Sequence, residues 1–169
     1  MTIQLDACDV FKAAIMLEER GVGFYADAAV KFSGHARNLL MQLSEMEKGH
    51  AQIFRNILAG LAAVDVVADD SDGEESAAFL QALTSDRIIT DACRPDENDS
   101  YDTVLEKAML IEKNSVFFYT TVKEIVQGKM AVGAVEKILQ EELTHFKMLN
   151  DALIDWRRRN KRGRSRTDE

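Results

Sequence analysis

The sequence predicts an all-α protein: a four-helix bundle made of two antiparallel hairpins joined by a long crossover. Three observations lead there. Gly and Pro occupy only ten of the 169 positions, one of them proline, too little punctuation for many short strands. Leu, Ala, Glu, Lys, Met and Gln dominate, all good helix formers. Four segments carry apolar residues at spacings of three and four, the period of a helix with one buried face.

The first segment runs from about Asp6 to Phe32 and stops near Ser33-Gly34. The second follows from about His35 to Ala63. The third starts near Tyr101, after the acidic, cap-rich DENDS, and ends at Gly128. The fourth runs from about Val132 to Arg159. Each spans roughly 26–29 residues, or about 40 Å at 1.5 Å per residue. Only a few residues join the first helix to the second and the third to the fourth, so each pair is a hairpin. Between the hairpins lies a long acidic stretch, from about Val64 to Ser100, containing a short amphipathic piece, SAAFLQALTSDRII. A connection this long can carry the chain along the bundle, or serve as a lid or docking segment. The expected organisation is one bundle domain over 1–159 and a basic, disordered tail over 160–169.

Charge narrows the partners. The net charge of −8 hides an asymmetry: from Arg157 to Glu169 seven basic residues face two acidic ones, and the rest of the chain carries 14 basic against 27 acidic residues. A bundle that acidic repels nucleic acid and leaves the tail as its only polyanion contact. No run of 18 apolar residues marks a membrane span. The segment MTIQLDACDVFK lacks the basic and apolar regions of an export signal, so the expectation is a reducing cytoplasm. Cys8 and Cys93 are 85 positions apart, and no CxxC exists for a zinc ribbon or a mononuclear iron site.

The chemistry lies in an internal repeat. The first helix reads AIMLEERGVGFY and the third AMLIEKNSVFFY. Inward positions on the first are Phe11, Ala14, Glu18, Gly21, Tyr25, Ala28 and Phe32; on the third they are Leu105, Ala108, Glu112, Ser115, Tyr119, Val122 and Val126. Each stripe holds a glutamate among apolar residues, with a tyrosine two turns later. The second helix places Leu40, Leu43, Glu47, His50, Phe54 and Ile57 on one stripe, and the fourth Ile138, Glu142, His145, Leu149, Ala152 and Trp156. Both carry Glu-x-x-His where hydrophobic residues belong, and residues three apart on a helix reach the same point.

Neighbouring carboxylates are set aside by register. Glu18, not Glu19, matches Glu112 in its spacing to tyrosine. Glu45 points about 160° from Glu47 on the wheel, and Glu141 is one step off the Glu142–His145 face. His35 has no glutamate three residues before it and sits at a helix start as a solvated residue. Four carboxylates and two imidazoles in one core would be badly destabilising unpaired, and the inward stripes supply no basic residue. Two divalent cations would neutralise them. Oxygen ligands with one imidazole per metal suit iron or manganese, with zinc also feasible.

LEERGVGFY, LSEMEKGHAQIF, IEKNSVFFY and LQEELTHFKML together resemble the ferritin-like superfamily and, within it, the rubrerythrin-like di-iron domain, over about residues 6–158. The resemblance implies two iron ions. One would be held by Glu18, Glu47 and His50 and the other by Glu112, Glu142 and His145, with Glu47 and Glu142 bridging. Tyr25 and Tyr119 would donate hydrogen bonds to the ligand carboxylates. It further implies a homodimer and reduction of peroxide or dioxygen, or oxidation of ferrous iron, at the metal pair. Two departures stand out. Rubrerythrins carry an additional glutamate one turn after the third-helix ligand, and here that position is Ser115, with Gly21 at the matching place in the first helix. The rubredoxin domain is also absent, so electrons would come from a separate rubredoxin-type or flavoprotein donor. Small Gly21 and Ser115 are expected to leave room for an oxygen-derived ligand. The same residues would also serve metal storage or sensing without turnover. Hydroxylation of organic substrates would need an apolar channel, for which the sequence has no signature.

Overall fold

The structure, a computed structural model, describes residues 7–62, 94–126 and 128–164. They form four helices and, among the described residues, no strand: α1 (Ala7–Ala29), α2 (Gly34–Ala62), α3 (Tyr101–Ile125) and α4 (Lys129–Arg164). The hairpins α1–α2 and α3–α4 turn through glycine, Gly34 at φ 58° and Gly128 at φ 92°, a region costly for side chains with a Cβ. The bundle is therefore the expected one, with ends displaced by a few residues. α1 stops at Ala29, and Lys31 N–H then donates to Ala28 O in a turn.

α4 runs to Arg164, so the expected tail is helical over its first five residues. Nothing between Arg159 and Arg164 forces a stop, and cations are favoured near a helix C-terminus by the backbone dipole. Residues 165–169 and the amphipathic piece of the crossover lie outside the described residues.

Before α3, residues 94–100 make a turn held by its own polar groups. Asp96 N–H donates to Asp99 Oδ2 at 2.7 Å, and Asn98 N–H to Asp96 Oδ1 at 2.9 Å. Lys107 Nζ ties this turn to α3 through Asp99 Oδ2 (2.6 Å) and Arg94 O (3.0 Å), while Lys31 Nζ reaches Asp96 O from the end of α1.

The apolar core comes in two parts. At one end Phe11 and Leu17 of α1, Phe54 of α2, Phe118 and Val122 of α3 and Val135 and Ile138 of α4 pack together. At the other end Tyr25 and Ala28 meet Leu40 and Leu43, Leu105 and Ala108, and Leu149 and Leu153. The start of α1 thus lies with the end of α3, and the start of α2 with the end of α4. α2 finishes at one end of the bundle and α3 begins at the other, so residues 63–100 link opposite ends, the single-crossover topology. Glu18, Glu47, Glu112 and Glu142 fall between the two apolar parts along every helix. Among the described residues, no helix is long and apolar enough to cross a membrane.

Candidate metal centre

The six residues of the repeat converge. Glu18, Glu47, His50, Glu112, Glu142 and His145 are all buried, none above 3% exposed. They form two groups of potential ligands, Glu18, Glu47, His50 and Glu142 in one and Glu47, Glu112, Glu142 and His145 in the other, so Glu47 and Glu142 belong to both. His50 Nδ1 lies 2.9 Å from Glu142 Oε1 and 3.4 Å from an oxygen each of Glu18 and Glu47. His145 Nδ1 lies 3.0 Å from Glu47 Oε1 and 3.7 Å from Glu112 Oε2. Each Nδ1 thus comes nearest to the shared glutamate of the opposite Glu-x-x-His helix. The two rings stack face to face, centroids 5.3 Å apart and planes 11° from parallel.

Two of the three set-aside carboxylates, Glu19 and Glu45, face outward and find cations there. Arg55 donates to Glu19, and Lys48 pairs with Glu45, all four side chains being exposed. His35, the second residue of α2, is exposed as well.

Tyr25 and Tyr119 are fully buried and act crosswise. Tyr25 on α1 donates to Glu112 on α3, and Tyr119 on α3 donates to Glu18 on α1. Burial and the carboxylates around them push both phenols well above their ordinary range, so each keeps its proton and stays a donor.

The charge balance bears on whether metal fits. Among the described residues the buried polar side chains include no lysine or arginine. Burial, with Glu47 beside it, pushes Glu18 well up; burial and repulsion from Glu47, Glu112 and Glu18 do the same to Glu142. For Glu47 burial acts upward too, but hydrogen bonding with Glu18, His145 and His50 outweighs it and holds this carboxyl below its usual range. Burial lowers both imidazoles, yet their carboxylate neighbours prevail: His50 is raised far above its ordinary value and His145 to about 9.

Protons thus stand in for the missing positive charge, and they do so incompletely. Among the described residues, Glu47 Oε1, Glu112 Oε2, Glu142 Oε1 and the Nδ1 atoms of both histidines find no properly aligned hydrogen-bond partner, although they are buried and crowd together. Orphaned buried polar groups are costly, roughly 1–3 kcal/mol each. Carboxylate oxygens and imidazole nitrogens converging on two points are the donor set of a pair of transition-metal ions. The residues present fit such a pair.

Two features differ from the sequence reading or were missed by it. The space beside Gly21 does not await an exogenous ligand: a Cβ there would lie 3.3 Å from Glu47 Cγ, so the side chain of Glu47 already fills it. Glu141, set aside as off the ligand face, reaches across to α2, and its Oε2 lies 2.7 Å from His50 Nε2. The only sequence signal for it was an acidic residue directly preceding Glu142.

A family model described as Rubrerythrin matches residues 9–153. Among solved structures, the chain resembles a Thermotoga maritima protein described as a ferritin-like diiron-carboxylate protein, with a TM-score of 0.65 and 22% identity over 90% of this chain and 97% of that one. No curated protein matches the sequence.

Proposed function

The chain belongs to the rubrerythrin family, and from that premise we propose that it is a di-iron oxidoreductase, taking up two iron ions and using them to reduce hydrogen peroxide or dioxygen. The observation that carries this reading is the sharing of Glu47 and Glu142 between both ligand groups. Two ions held by common carboxylates would lie close enough to act on one small oxidant, whereas two separate structural sites would need no common ligand. The iron pair, when bound, supplies the electrons for that reduction.

The protein's own residues do the rest. Glu18 with His50, and Glu112 with His145, would complete the two positions. Tyr119 and Tyr25 fix one oxygen each of Glu18 and Glu112, which limits how those carboxylates swing. The apolar clusters above and below exclude bulk water and favour a small, uncharged oxidant. We propose that the reducing equivalents arrive from a separate electron-carrying protein of the rubredoxin or flavoprotein type.

The test is elemental analysis of protein grown with added iron, beside a Glu47→Ala/His50→Ala variant, followed by rapid mixing of the ferrous form with peroxide and with dioxygen. Close to two irons per wild-type chain, fewer in the variant, and oxidation by peroxide or dioxygen with turnover when a reductant is supplied would support the reading. Iron oxidised once and retained without turnover would point to ferroxidation or storage instead. A well-folded wild type without metal would sink the di-iron reading altogether.

A further inference from the structure

The two halves of the site are related by the internal repeat, but the surroundings of the two histidines are not alike. His50 directs Nδ1 at the carboxylates and places Nε2 2.7 Å from Glu141 Oε2. Glu141 is only partly buried, with 35% of its side chain exposed, and its other oxygen lies 3.6 Å from Lys137 Nζ. A hydrogen bond from Nε2–H to a carboxylate fixes the tautomer that leaves the Nδ1 lone pair for a metal, holds the ring in plane and raises its basicity.

His145 has no such support. Its Nδ1 also faces the carboxylates, yet its Nε2 is buried without a hydrogen-bond partner among the described residues. The repeat gives the reason. Glu141 immediately precedes Glu142, and the residue that immediately precedes Glu47 is Met46, also partly buried. A thioether is at best a weak acceptor and carries no charge.

We propose that the two metal positions are unequal, and that Glu141, as a positioning residue acting through His50, makes the position built from Glu18, Glu47, His50 and Glu142 the tighter of the two. The inference rests on the di-metal reading above. It adds an order to that reading: the His50 position fills first and empties last, and the ion beside His145 is the exchangeable one.

Half-site chains separate the positions. His145→Ala leaves the His50 position intact and His50→Ala leaves the other. Each is titrated with Co(II) under nitrogen, following both heat and the visible absorption of the bound ion. The His145→Ala chain is expected to bind Co(II) at least about tenfold more tightly than the His50→Ala chain, the usual effect of an outer hydrogen-bond partner being about 10–100-fold. Adding Glu141→Ala should erase that advantage in the first chain and leave the second unmoved. Glu141→Gln, which keeps an acceptor, should restore part of it, and Met46→Glu should tighten binding in the His50→Ala chain. Equal affinities in the two half-site chains, or an equal loss in both on Glu141→Ala, would overturn the inference. Should a half-site chain bind no measurable Co(II), the full chain decides: Glu141→Ala weakens the first of two binding steps at least about tenfold, and an unmoved first step overturns it. A wild-type chain that takes up no Co(II) would instead defeat the di-metal reading itself.

Discussion

The side chain of Glu47 lies directly over Gly21: a Cβ built on this glycine would stand 3.3 Å from Glu47 Cγ and 3.6 Å from its carboxyl carbon. One residue on α1 therefore sets where a shared ligand on α2 can sit. Glycine in a helix interior costs about 1 kcal/mol relative to alanine, so its presence mid-helix is accounted for by this close approach. Gly21→Ala should leave the metal-free fold equally stable or stabilise it by up to about 1 kcal/mol, while weakening metal binding because Glu47 must shift by a few tenths of an ångström. Gly21→Leu should abolish binding of at least one ion. Thermal unfolding of chelated protein beside metal titration checks both, and a gain in affinity for either variant would contradict the packing argument.

Removal of a shared carboxylate should move stability and metal binding in opposite directions. Glu142 is 1% exposed, and burial with three neighbouring carboxylates raises its pKa well above the ordinary range. Without metal such a group, crowded by three other carboxylates, opposes folding, and an apolar side chain in its place relieves that repulsion and desolvation. Glu142→Leu is expected to raise the melting temperature of the chelated protein and to eliminate binding of two ions. His50 would still face Glu18, Glu47 and Glu141, so it is not left as an unpaired cation. Unfolding curves in the presence of a chelator decide; a large loss of stability would show that Glu142 is needed by the metal-free fold.

The metal-free protein should lose stability as pH rises. His145 is held at about 9 against an ordinary 6.5, because Glu112 and Glu47 outweigh the effect of burial. A group raised on folding contributes stability that is complete below its unfolded pKa and is lost as pH climbs through its folded pKa. His145 thus contributes fully below pH 6.5 and progressively less up to about pH 9. Glu18 and Glu142, also raised, act in the same sense above 4.5. Divalent ions displace these protons, so metal affinity should strengthen over the same interval. The check is a series of melting curves between pH 6 and 9, with chelator and with metal: the gap between the two should widen with pH. A gap that stays constant would mean that metal and protons do not compete for these side chains.

The fold and the six converging residues were legible because both are written in periodicity. Four stripes at spacings of three and four, a repeated Glu-x6-Tyr and a repeated Glu-x-x-His each depend on one helix at a time, and helical geometry alone places them. What escaped depends on two helices at once. Glu141 lies one step off the ligand face of α4, and only the closeness of α2 turns it toward His50 Nε2. Gly21 looked like space for a ligand because its own sequence does not tell that Glu47 fills it. The tyrosines were recognisable as donors, but not that each would serve the opposite helix, which follows from the antiparallel pairing of α1 with α3. The end of α4 was misplaced because a run of cations is permissible either in solvent or on the last turns of a helix.

That crosswise pairing supports a last prediction. Tyr25 and Tyr119 each hold one oxygen of a glutamate that belongs to only one of the two ligand groups, Glu112 and Glu18 respectively. Phenylalanine in place of either keeps the ring and its packing, Tyr119 against Phe54 and Phe118, and Tyr25 against Phe24, so no cavity opens. What is lost is a hydrogen bond to a buried carboxyl, about 1.5–3 kcal/mol when the acceptor is charged. The released glutamate gains freedom to swing, and its metal should bind about 10–100-fold more weakly. Tyr119→Phe should therefore weaken the position containing His50, and Tyr25→Phe the one containing His145. Metal titrations of the two variants, each made also in the half-site chains, test the assignment. An effect of Tyr25→Phe on the His50 position as large as on the His145 position would mean that the tyrosines act on the bundle as a whole and not through the glutamates they touch.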